Sequence, residues 1–461
     1  MIKRLSKSIR EYRTVTILTP IMMIGEVVCE CIIPMITKSL IDNIQDGCSM
    51  DVITRYGIGL LGMAILSLLF GSIAGWLCAT ASAGFAKNLR HDLFYKVQEY
   101  SFSNIDKFST SSLVTRLTTD VTNVQMAFMM IIRIAVRSPL MLIFAFIMSF
   151  SVGKKLAWIF AGFIPFLGFF LGFIIYKVMP LFHAVFKKYD NLNNSVQENI
   201  KGMRVVKSFV REDYEKEKFH AASDDVRKDF TKAETILAFN SPLMQFCTYC
   251  SLILISYFAS KLIVSTHGTY LNIGSLTSMI TYSMQILMSL MMLSMIFVML
   301  TLSSASAKRI AEVLDETSDL RNPDEPVMTV PNGSIDFENV SFKYSLKAEK
   351  MALSNINLHI DSGMTVGIIG GTGSSKSSLI QLISRLYDVT EGAVKVGGID
   401  VRDYDLETLR DQVAVVLQKN ILFSGTIKEN LRWGNEKASD EELERICKLA
   451  QADEFINRFP E

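Results

Sequence analysis

Gly370-Gly371-Thr372-Gly373-Ser374-Ser375-Lys376-Ser377 is the stretch that determines how the C-terminal part of this chain folds. It follows an apolar run at 365–369 and precedes an apolar-periodic segment at 379–387, an order that predicts a strand, a tight loop and a helix. The loop differs by one residue from the phosphate-binding pattern G-x-x-x-x-G-K-[ST]. Because the backbone N–H groups of such a loop point inward beside the positive end of a helix, we predict a nucleotide-binding site.

The contacts expected with a nucleotide follow from this pattern. Lys376 is expected to reach the outer phosphates, and the Ser377 hydroxyl is expected to coordinate Mg²⁺. The pattern has glycine where this chain has Ser375, and a Cβ there costs about 1–3 kcal/mol in a sparsely allowed backbone conformation. We therefore expect weakened rather than abolished binding, with a crippled site as the alternative. The predicted nucleotide-contacting residues of the loop are Gly370, Gly371, Thr372, Gly373, Ser374, Ser375, Lys376, Ser377 and Ser378.

The composition indicates a membrane protein. The chain has 461 residues, of which 49% are hydrophobic, and a mean hydropathy of +0.29, above the usual range of soluble proteins. A net charge of +1 gives no reason to expect nucleic acid as a partner. The seven cysteines lie mostly in apolar segments and do not resemble a secreted disulfide framework. Cys247-x-x-Cys250 has no accompanying histidine or second cysteine pair, so we interpret it as helix packing rather than a metal site.

Six apolar stretches are long enough to cross a bilayer, which takes about 20 residues each. The predicted spans are Thr14–Ile36, Gly57–Ala83, Met126–Phe150, Leu156–Val178, Ile236–Val264 and Ile273–Leu302. The basic N-terminus resembles the start of a signal peptide. However, the apolar run behind it is too long and lacks a cleavage site, so we predict a retained first span.

The distribution of basic residues predicts the orientation. Lysine and arginine crowd the N-terminus and the long segments after spans two and four, whereas the other loops are short and poor in them. By the positive-inside rule, both termini and the two long loops are cytoplasmic. Helical spacing of apolar residues at 90–100 and 189–219 predicts that spans two to five continue as helices into the cytoplasm.

A polar, proline-bearing segment separates two domains. The run Arg309–Glu316 ends in Asp-Glu and imitates an acidic nucleotidase motif, but its position before the phosphate loop favours a helix leaving span six. From Ser334 onward the composition turns soluble, and strands are expected to alternate with helices. We predict an all-α six-helix transmembrane domain over 1–310, a linker over 311–333, and the N-terminal part of an α/β P-loop nucleotide-binding domain over 334–461.

Two carboxylates lie well inside span one, where unpaired charge is costly. Glu26 and Glu30 are one helical turn apart, so they are expected to face a water-filled cavity or a charged partner rather than lipid. One hypothesis is a substrate path that attracts cationic substrates or protons; the other is structural pairing with Arg133 or Arg137 of span three. Span six is rich in methionine, which suits a promiscuous substrate surface but more commonly fills ordinary cores.

Six spans, long cytoplasmic loops and a phosphate-loop domain together resemble the ABC transporter superfamily. More narrowly, the whole chain resembles a bacterial half-transporter of the multidrug-exporter type. Phe342-Lys343-Tyr344 matches the aromatic segment whose Tyr344 would stack on adenine. Val415-Val416-Leu417-Gln418 matches the Q-loop, whose Gln418 would contribute to Mg²⁺ coordination. Leu422-Phe423-Ser424-Gly425-Thr426-Ile427 matches the segment that follows the Q-loop in exporters.

The resemblance implies a function and a set of partners. Two half-transporter chains would dimerise in the bacterial inner membrane, with a heterodimer favoured over a homodimer. ATP and Mg²⁺ would close the cytoplasmic domains, and helical segments near Asn104–Lys107 and Val210–Tyr214 would couple that closure to the spans. The implied activity is ATP-driven export of amphipathic drugs or lipids. An importer or a channel fits less well, because importers usually place spans and ATPase on separate chains and a channel needs neither Lys376 nor Tyr344.

Several family motifs do not occur before Glu461: the signature loop, the second acidic motif with its catalytic glutamate, and the switch histidine. Without that glutamate no residue here polarises the attacking water, so we predict no catalytic residue within this sequence. Two interpretations stay open. The sequence is a fragment of a longer exporter half, or it is a truncated, non-catalytic remnant or regulatory membrane protein with weak or no nucleotide binding.

Overall fold

The computed structural model describes residues 1–345, 348–418 and 420–458, so the predicted domain end at Glu461 lies outside the described part. The chain divides into two compact units. The first holds Met1–Tyr100 and Asn104–Thr317; the second holds Ser101–Ser103 and Ser318–Glu461.

Helices joined by short connections make up the first unit. Its helices are α1 (Ile2–Leu5), α2 (Arg13–Gln45), α3 (Met50–Gln98), α4 (Phe102–Lys107, which begins in the second unit), α5 (Thr110–Thr115), α6 (Val121–Val152), α7 (Lys154–Lys201), α8 (Met203–Ser208), α9 (Glu212–Ala238), α10 (Asn240–Ser265) and α11 (Ile273–Asp315). A 3₁₀ turn, Ser6–Tyr12, joins α1 to α2, and a π turn, Arg116–Asp120, joins α5 to α6.

Among the described residues, six helical segments are long and apolar enough to cross a membrane, which confirms the number of predicted spans. They run over Ile2–Gln45, Met50–Gln98, Thr110–Val152, Lys154–Phe182, Glu212–Ser265 and Ile273–Asp315, and each contains one predicted span. The sixth continues without a break through Arg309, so the helical interpretation of the run after span six is confirmed. The helix predicted over 189–219 is interrupted at Gly202 and again between Ser208 and Glu212.

Pro34 sets the contact between spans one and six. A proline inside a helix has no N–H to donate, so the carbonyl of Glu30, one turn earlier, loses its intrahelical partner. Gln285 of α11 donates from its amide nitrogen to that carbonyl at 3.2 Å. Since a bare carbonyl at membrane depth costs several kcal/mol, the side chain from the neighbouring helix makes the proline tolerable there.

Two more hydroxyls on the same face of α11 reach carbonyls of α2. Tyr282 donates to the Cys31 carbonyl at 2.8 Å, and Ser278 donates to the Pro34 carbonyl at 2.7 Å. Positions 278, 282 and 285 recur at helical spacing, so they form one polar stripe along α11. Tyr282 is fully buried beside a large apolar cluster that includes Phe160 and Ile286.

The methionines of span six divide between the core and the surface of the chain. Met279 is fully buried and belongs to the main apolar cluster, as the packing interpretation predicts. Met284, Met288, Met291, Met292 and Met295 are exposed. Ordinary core filling therefore accounts for only part of the methionine-rich segment.

The second unit contains a small antiparallel sheet and short helices. The strands are β1 (Ile335–Phe342), β2 (Leu353–Ile360), β3 (Glu391–Val396) and β4 (Ile399–Asp400), in the order β2-β1-β3-β4. Ile335 lies opposite Ile360 on one side and opposite Val396 on the other. The helices are α12 (Lys376–Ile383), α13 (Leu406–Gln412), α14 (Ile427–Leu431), α15 (Asp440–Leu449) and α16 (Asp453–Ile456).

The strand predicted over Thr365–Ile369 is wrong. Residues 364–370 have no regular secondary structure, and Ile369 is 98% exposed. A strand exists only through the ladder it forms with a neighbour, and in the part of the chain that the structure describes the four-strand sheet forms without this segment. The helix after the loop does form, because Leu379 and Leu382 of α12 pack into the same core as Val394 of β3.

The polar stripe of α11 gives a first prediction. Tyr282→Phe removes the donor to the Cys31 carbonyl and keeps the ring, so we expect a loss of about 0.6–1.7 kcal/mol in stability, the range of interhelical hydrogen bonds in membrane proteins. Thermal unfolding of the purified chain in detergent measures the loss. Tyr257→Phe is the matched control, since that ring is 61% exposed. Equal melting temperatures for the two variants would contradict the proposed role of the stripe.

Candidate functional site

The phosphate loop takes a conformation that requires two residues with positive φ. Gly373 has φ of 84°, and Ser375 has φ of 60° and ψ of 25°, the left-handed region. The glycine adopts this conformation freely, whereas a residue with a Cβ pays about 1–2 kcal/mol for it. The backbone at position 375 therefore has the left-handed conformation that favours glycine, the residue that the sequence pattern places there. Ser375 adopts this conformation at a cost in strain.

Lys376 closes the loop. Its ammonium donates to the carbonyls of Gly370 and Gly371 at 2.7 and 2.8 Å and to the Ser374 hydroxyl at 3.2 Å. A Cβ on Gly370 would lie 2.7 Å from that hydroxyl oxygen, so glycine is needed there for close approach. The ammonium thus lies over the loop and beside the start of α12, close to where a phosphate would bind.

The first turn of α12 is open to an anion. Ser375 is the N-cap of the helix and makes no side-chain cap, so its side chain leaves the first N–H groups free to bind oxygen. Ser377 is exposed, as a metal-coordinating hydroxyl has to be. Ser378, which we expected to contact nucleotide, is instead buried and shares a 2.7 Å hydrogen bond with the Tyr344 hydroxyl.

Tyr344 lies against the helix that follows the loop. Besides Ser378, its hydroxyl donates to Gln381 at 3.3 Å, and its ring packs edge-on against Phe342 and Tyr387 with centroids 4.9 and 5.2 Å away. The residue is 47% exposed. The structure therefore brings Tyr344 to the phosphate-loop helix and leaves part of the ring accessible for stacking on a base.

Gln418 is exposed and lies in an irregular segment. Within residues 1–345, 348–418 and 420–458, no hydrogen bond joins it to the loop, so its predicted role with Mg²⁺ stays a prediction. The segment that follows contains a short helix: the Phe423 and Trp433 rings stack at 4.2 Å, and Thr426 and Glu429 form a capping box on α14. The hydrogen bond from the Thr426 backbone N–H lowers the pKa of Glu429.

The carboxylates of span one are paired with span three. Arg137 reaches Glu26 at 3.0 Å through one terminal nitrogen and Glu30 at 2.7 and 2.9 Å through the other. Glu26 is 7% exposed, and a Cβ on Gly71 of α3 would lie 3.2 Å from its carboxyl carbon, so the glycine makes room for it. The pairing expected for a structural role is thus formed, by Arg137; the substrate-path role stays a prediction.

A cavity of about 630 Å³ opens beside this cluster. It lies between α2, α6 and α11, and its lining includes Glu30, Arg133, Arg137 and Gln285. Sequence reasoning identified the charged residues but missed Gln285. The signal was available: an amide in an otherwise apolar span, one turn from Tyr282, is expensive without a partner.

The segments predicted to couple the domains are only partly helical. Asn104–Lys107 lies in α4, whereas Val210 lies in the turn between α8 and α9 with φ of 50°. Residues 101–103 belong to the second unit. There Ser103 donates to Asp319 at 2.6 Å, and the Phe102 ring lies 6.0 Å from that of Tyr387.

Comparison with known proteins places the chain in a family. Residues 16–291 match the family model described as ABC transporter transmembrane region, and residues 353–461 match the family model described as ABC transporter. The chain is therefore a half-transporter of the ABC transporter superfamily, a multi-pass membrane protein that joins six spans to an ATP-binding domain.

The similar relatives cover nearly the whole chain. The uncharacterized ABC transporter ATP-binding protein YfiB of Bacillus subtilis is 33% identical over 95% of this chain and 76% of its own length. The uncharacterized protein YknU of the same organism is 29% identical over 100% of this chain and 78% of its own length. A protein of Mycobacterium bovis named fatty acid ABC transporter ATP-binding/permease protein is 30% identical over 81% of this chain and 58% of its own length.

The strain at position 375 gives a second prediction. Ser375→Gly should relieve about 1–2 kcal/mol of backbone strain, less about 0.5–1 kcal/mol of added chain entropy. We expect a fluorescent ATP analogue to bind with unchanged to roughly tenfold higher affinity, measured by titration of the purified chain. Ser375→Ala keeps the Cβ and should bind like the natural chain. Weaker binding by the glycine variant would refute the strain argument.

The ion cluster in span one gives a third prediction. Arg137→Met leaves two carboxylates without their cation, so we expect a loss of about 3–5 kcal/mol in stability. Thermal unfolding and detergent-resistant yield measure it. Adding Glu26→Gln and Glu30→Gln to that variant removes the uncompensated charge and should restore most of the loss. A triple variant as unstable as Arg137→Met would mean that the arginine acts through packing alone.

Proposed function

We propose that this chain exports amphipathic molecules, drugs or lipids, as one half of a dimeric ABC transporter driven by ATP. The observation that carries the proposal is the combination in one chain of a phosphate loop closed by Lys376 with a large cavity among six spans. ATP supplies the free energy through its binding and phosphoryl chemistry. The spans supply the path.

The nucleotide role rests on the donor groups of the second unit. An ammonium, glycine-rich backbone and an uncapped helix start at Ser375 suit the phosphates, and the part-exposed ring of Tyr344 suits a purine. We propose that Ser377, with Gln418, holds Mg²⁺, because hydroxyl and amide oxygens are ligands that this hard cation accepts.

The direction of transport, the location and the partner are also proposed. Basic residues in the long loops support cytoplasmic termini in the bacterial inner membrane. The fusion of spans and ATP-binding domain on one chain supports export rather than import. One relative bears the name of a fatty acid transporter, which supports an amphipathic substrate. We favour a heterodimer with a sister half-transporter over a homodimer.

A second function is favoured by one observation. Ser375 occupies a left-handed backbone position with a Cβ, which weakens the loop as a phosphate site. A non-catalytic or regulatory membrane protein that binds nucleotide poorly would tolerate this residue. The transporter needs Lys376 to bind nucleotide, whereas the non-catalytic protein does not, so one substitution at Lys376 distinguishes the two functions.

Lys376→Ala removes the ammonium that closes the loop. For a transporter we expect at least tenfold weaker binding of a fluorescent ATP analogue, about 1.4 kcal/mol, and loss of ATP-dependent accumulation of a fluorescent amphiphile in inside-out membrane vesicles. Lys350→Ala, a lysine outside the loop, is the matched control. Vesicles that accumulate the amphiphile equally with the Lys376 and Lys350 variants would exclude ATP-driven export by this chain.

A further inference from the structure

The cavity beside the ion cluster carries an inference about the ligand. Both carboxylate oxygens of Glu30 accept from Arg137, at 2.7 and 2.9 Å. Glu26, which completes the cluster, is buried and does not line the cavity. Both oxygens of Glu30 and one oxygen of Glu26 are therefore engaged by Arg137, and the remaining Glu26 oxygen is buried away from the cavity, so the two carboxylates offer little to a cationic ligand.

The cation that lines the cavity with all its hydrogen-bond donors unused among the described residues is Arg133, although its charge also acts on Glu26. In the part of the chain that the structure describes, no hydrogen bond or ion pair joins its guanidinium to another residue. A guanidinium has five N–H donors in a planar fork that suits carboxylate and phosphate oxygens. At membrane depth an unpaired guanidinium is costly, so a site that keeps one gains from an anionic partner.

Three other polar groups of the lining already donate to carbonyls of the protein, which leaves the Ser138 hydroxyl as the one other donor there with no partner among the described residues. The Thr281 hydroxyl donates to the Thr277 carbonyl at 3.1 Å, and the Ser289 hydroxyl donates to the Gln285 carbonyl at 2.7 Å. The Gln285 amide nitrogen is used on the backbone of α2. The guanidinium of Arg133 thus provides most of the hydrogen-bond donors that face a ligand.

The rest of the lining is apolar and adaptable. Ile33, Ile134 and Met141 contribute aliphatic surface, and Met288 and Met292 add flexible side chains that are 70% and 46% exposed. A volume of about 630 Å³ lies in the range of ligand pockets, about 300–1,000 Å³. One charged end and a long methionine-lined wall match a molecule with an anionic head and a hydrocarbon tail.

We infer that this cavity binds an anionic amphiphile, with its carboxylate or phosphate head on the Arg133 guanidinium and its apolar tail along Ile134, Met288 and Met292. The inference rests on the proposed export function, because it names the substrate class of that transport path. It also reverses the sign of charge that Glu26 and Glu30 suggest on their own.

The test is direct binding to the full chain in nanodiscs of zwitterionic phosphatidylcholine. The probe is parinarate, a fluorescent fatty acid anion, and its methyl ester is the neutral counterpart. We expect the acid to bind at least tenfold more tightly than the ester, and Arg133→Gln to remove that difference by weakening the acid alone. Arg133→Lys keeps the charge and should retain part of the preference.

Competition identifies the head group. Displacement of parinarate by oleate but not by lysophosphatidate assigns a carboxylate head; the opposite result assigns a phosphate head, and either supports the inference. An acid and an ester that bind equally, or a parinarate affinity that Arg133→Gln leaves unchanged, would overturn it. Displacement by tetraphenylphosphonium that Arg133→Gln strengthens would assign a cation site instead and also overturn it.

The folding of the Arg133 variants and the proposed transporter function are measured separately on the same samples. Size-exclusion profiles and melting temperatures show whether the Arg133 variants fold, and the acid-to-ester ratio in the natural chain tests the inference without any variant. Binding of the fluorescent ATP analogue, with and without Lys376→Ala, reports on the transporter function alone. An Arg133-dependent acid site with no Lys376-dependent nucleotide binding would keep the inference and reject the export proposal.

Discussion

A polar group at membrane depth is costly without a partner, and the partners that Glu26, Glu30 and the Glu30 carbonyl find determine how spans one, three and six pack together. Pro34 breaks the hydrogen-bond ladder of α2, and the freed Glu30 carbonyl draws Gln285 from α11. On the same segment of α2, the Glu26 and Glu30 carboxylates draw Arg137 from α6. Spans one, three and six are thus tied by directional bonds at one level, where apolar packing alone would leave their rotation undetermined.

The same constraint defines the cavity. Because Arg137 is committed to both carboxylates, it holds spans one and three in register and cannot turn toward a ligand without leaving two charges unpaired. Arg133, one helical turn earlier on α6, has no such commitment among the described residues. Arg137, which is paired within the protein, and Arg133, which we propose faces the ligand, therefore lie one turn apart on the same helix.

A feature of the fold or of the candidate site could be predicted from the sequence when a single segment of the chain determines it. The six spans are local, because length and hydropathy are properties of one segment at a time, and all six are confirmed. Strain at Ser375 is local too, since the phosphate-loop pattern states where a glycine-like backbone is required. The strand at 365–369 was predicted wrongly because a strand depends on a neighbour that its own residues do not specify.

The ion cluster of Glu26, Glu30 and Arg137 could be predicted only in part. The depth of Glu26 and Glu30 predicts that they need partners, and span three offers both Arg133 and Arg137. The choice depends on how α2 and α6 rotate and slide against each other, which no single-helix pattern determines. Gln285 was missed for the same reason: its partner, the Glu30 carbonyl, becomes available only because of a proline in another helix.

The two proposed anion-binding elements of this chain would face different ligands, and their composition reflects it. A nucleotide would bring several phosphate charges to the phosphate loop, so one lysine is not enough and backbone N–H groups at the helix start have to contribute. In the cavity the proposed ligand carries a single charged head, and one ion pair 4 Å apart gains about 4 kcal/mol at an effective dielectric constant near 20. A single guanidinium at Arg133 can therefore select an anionic head there, while the apolar wall of α11 provides most of the affinity for the tail.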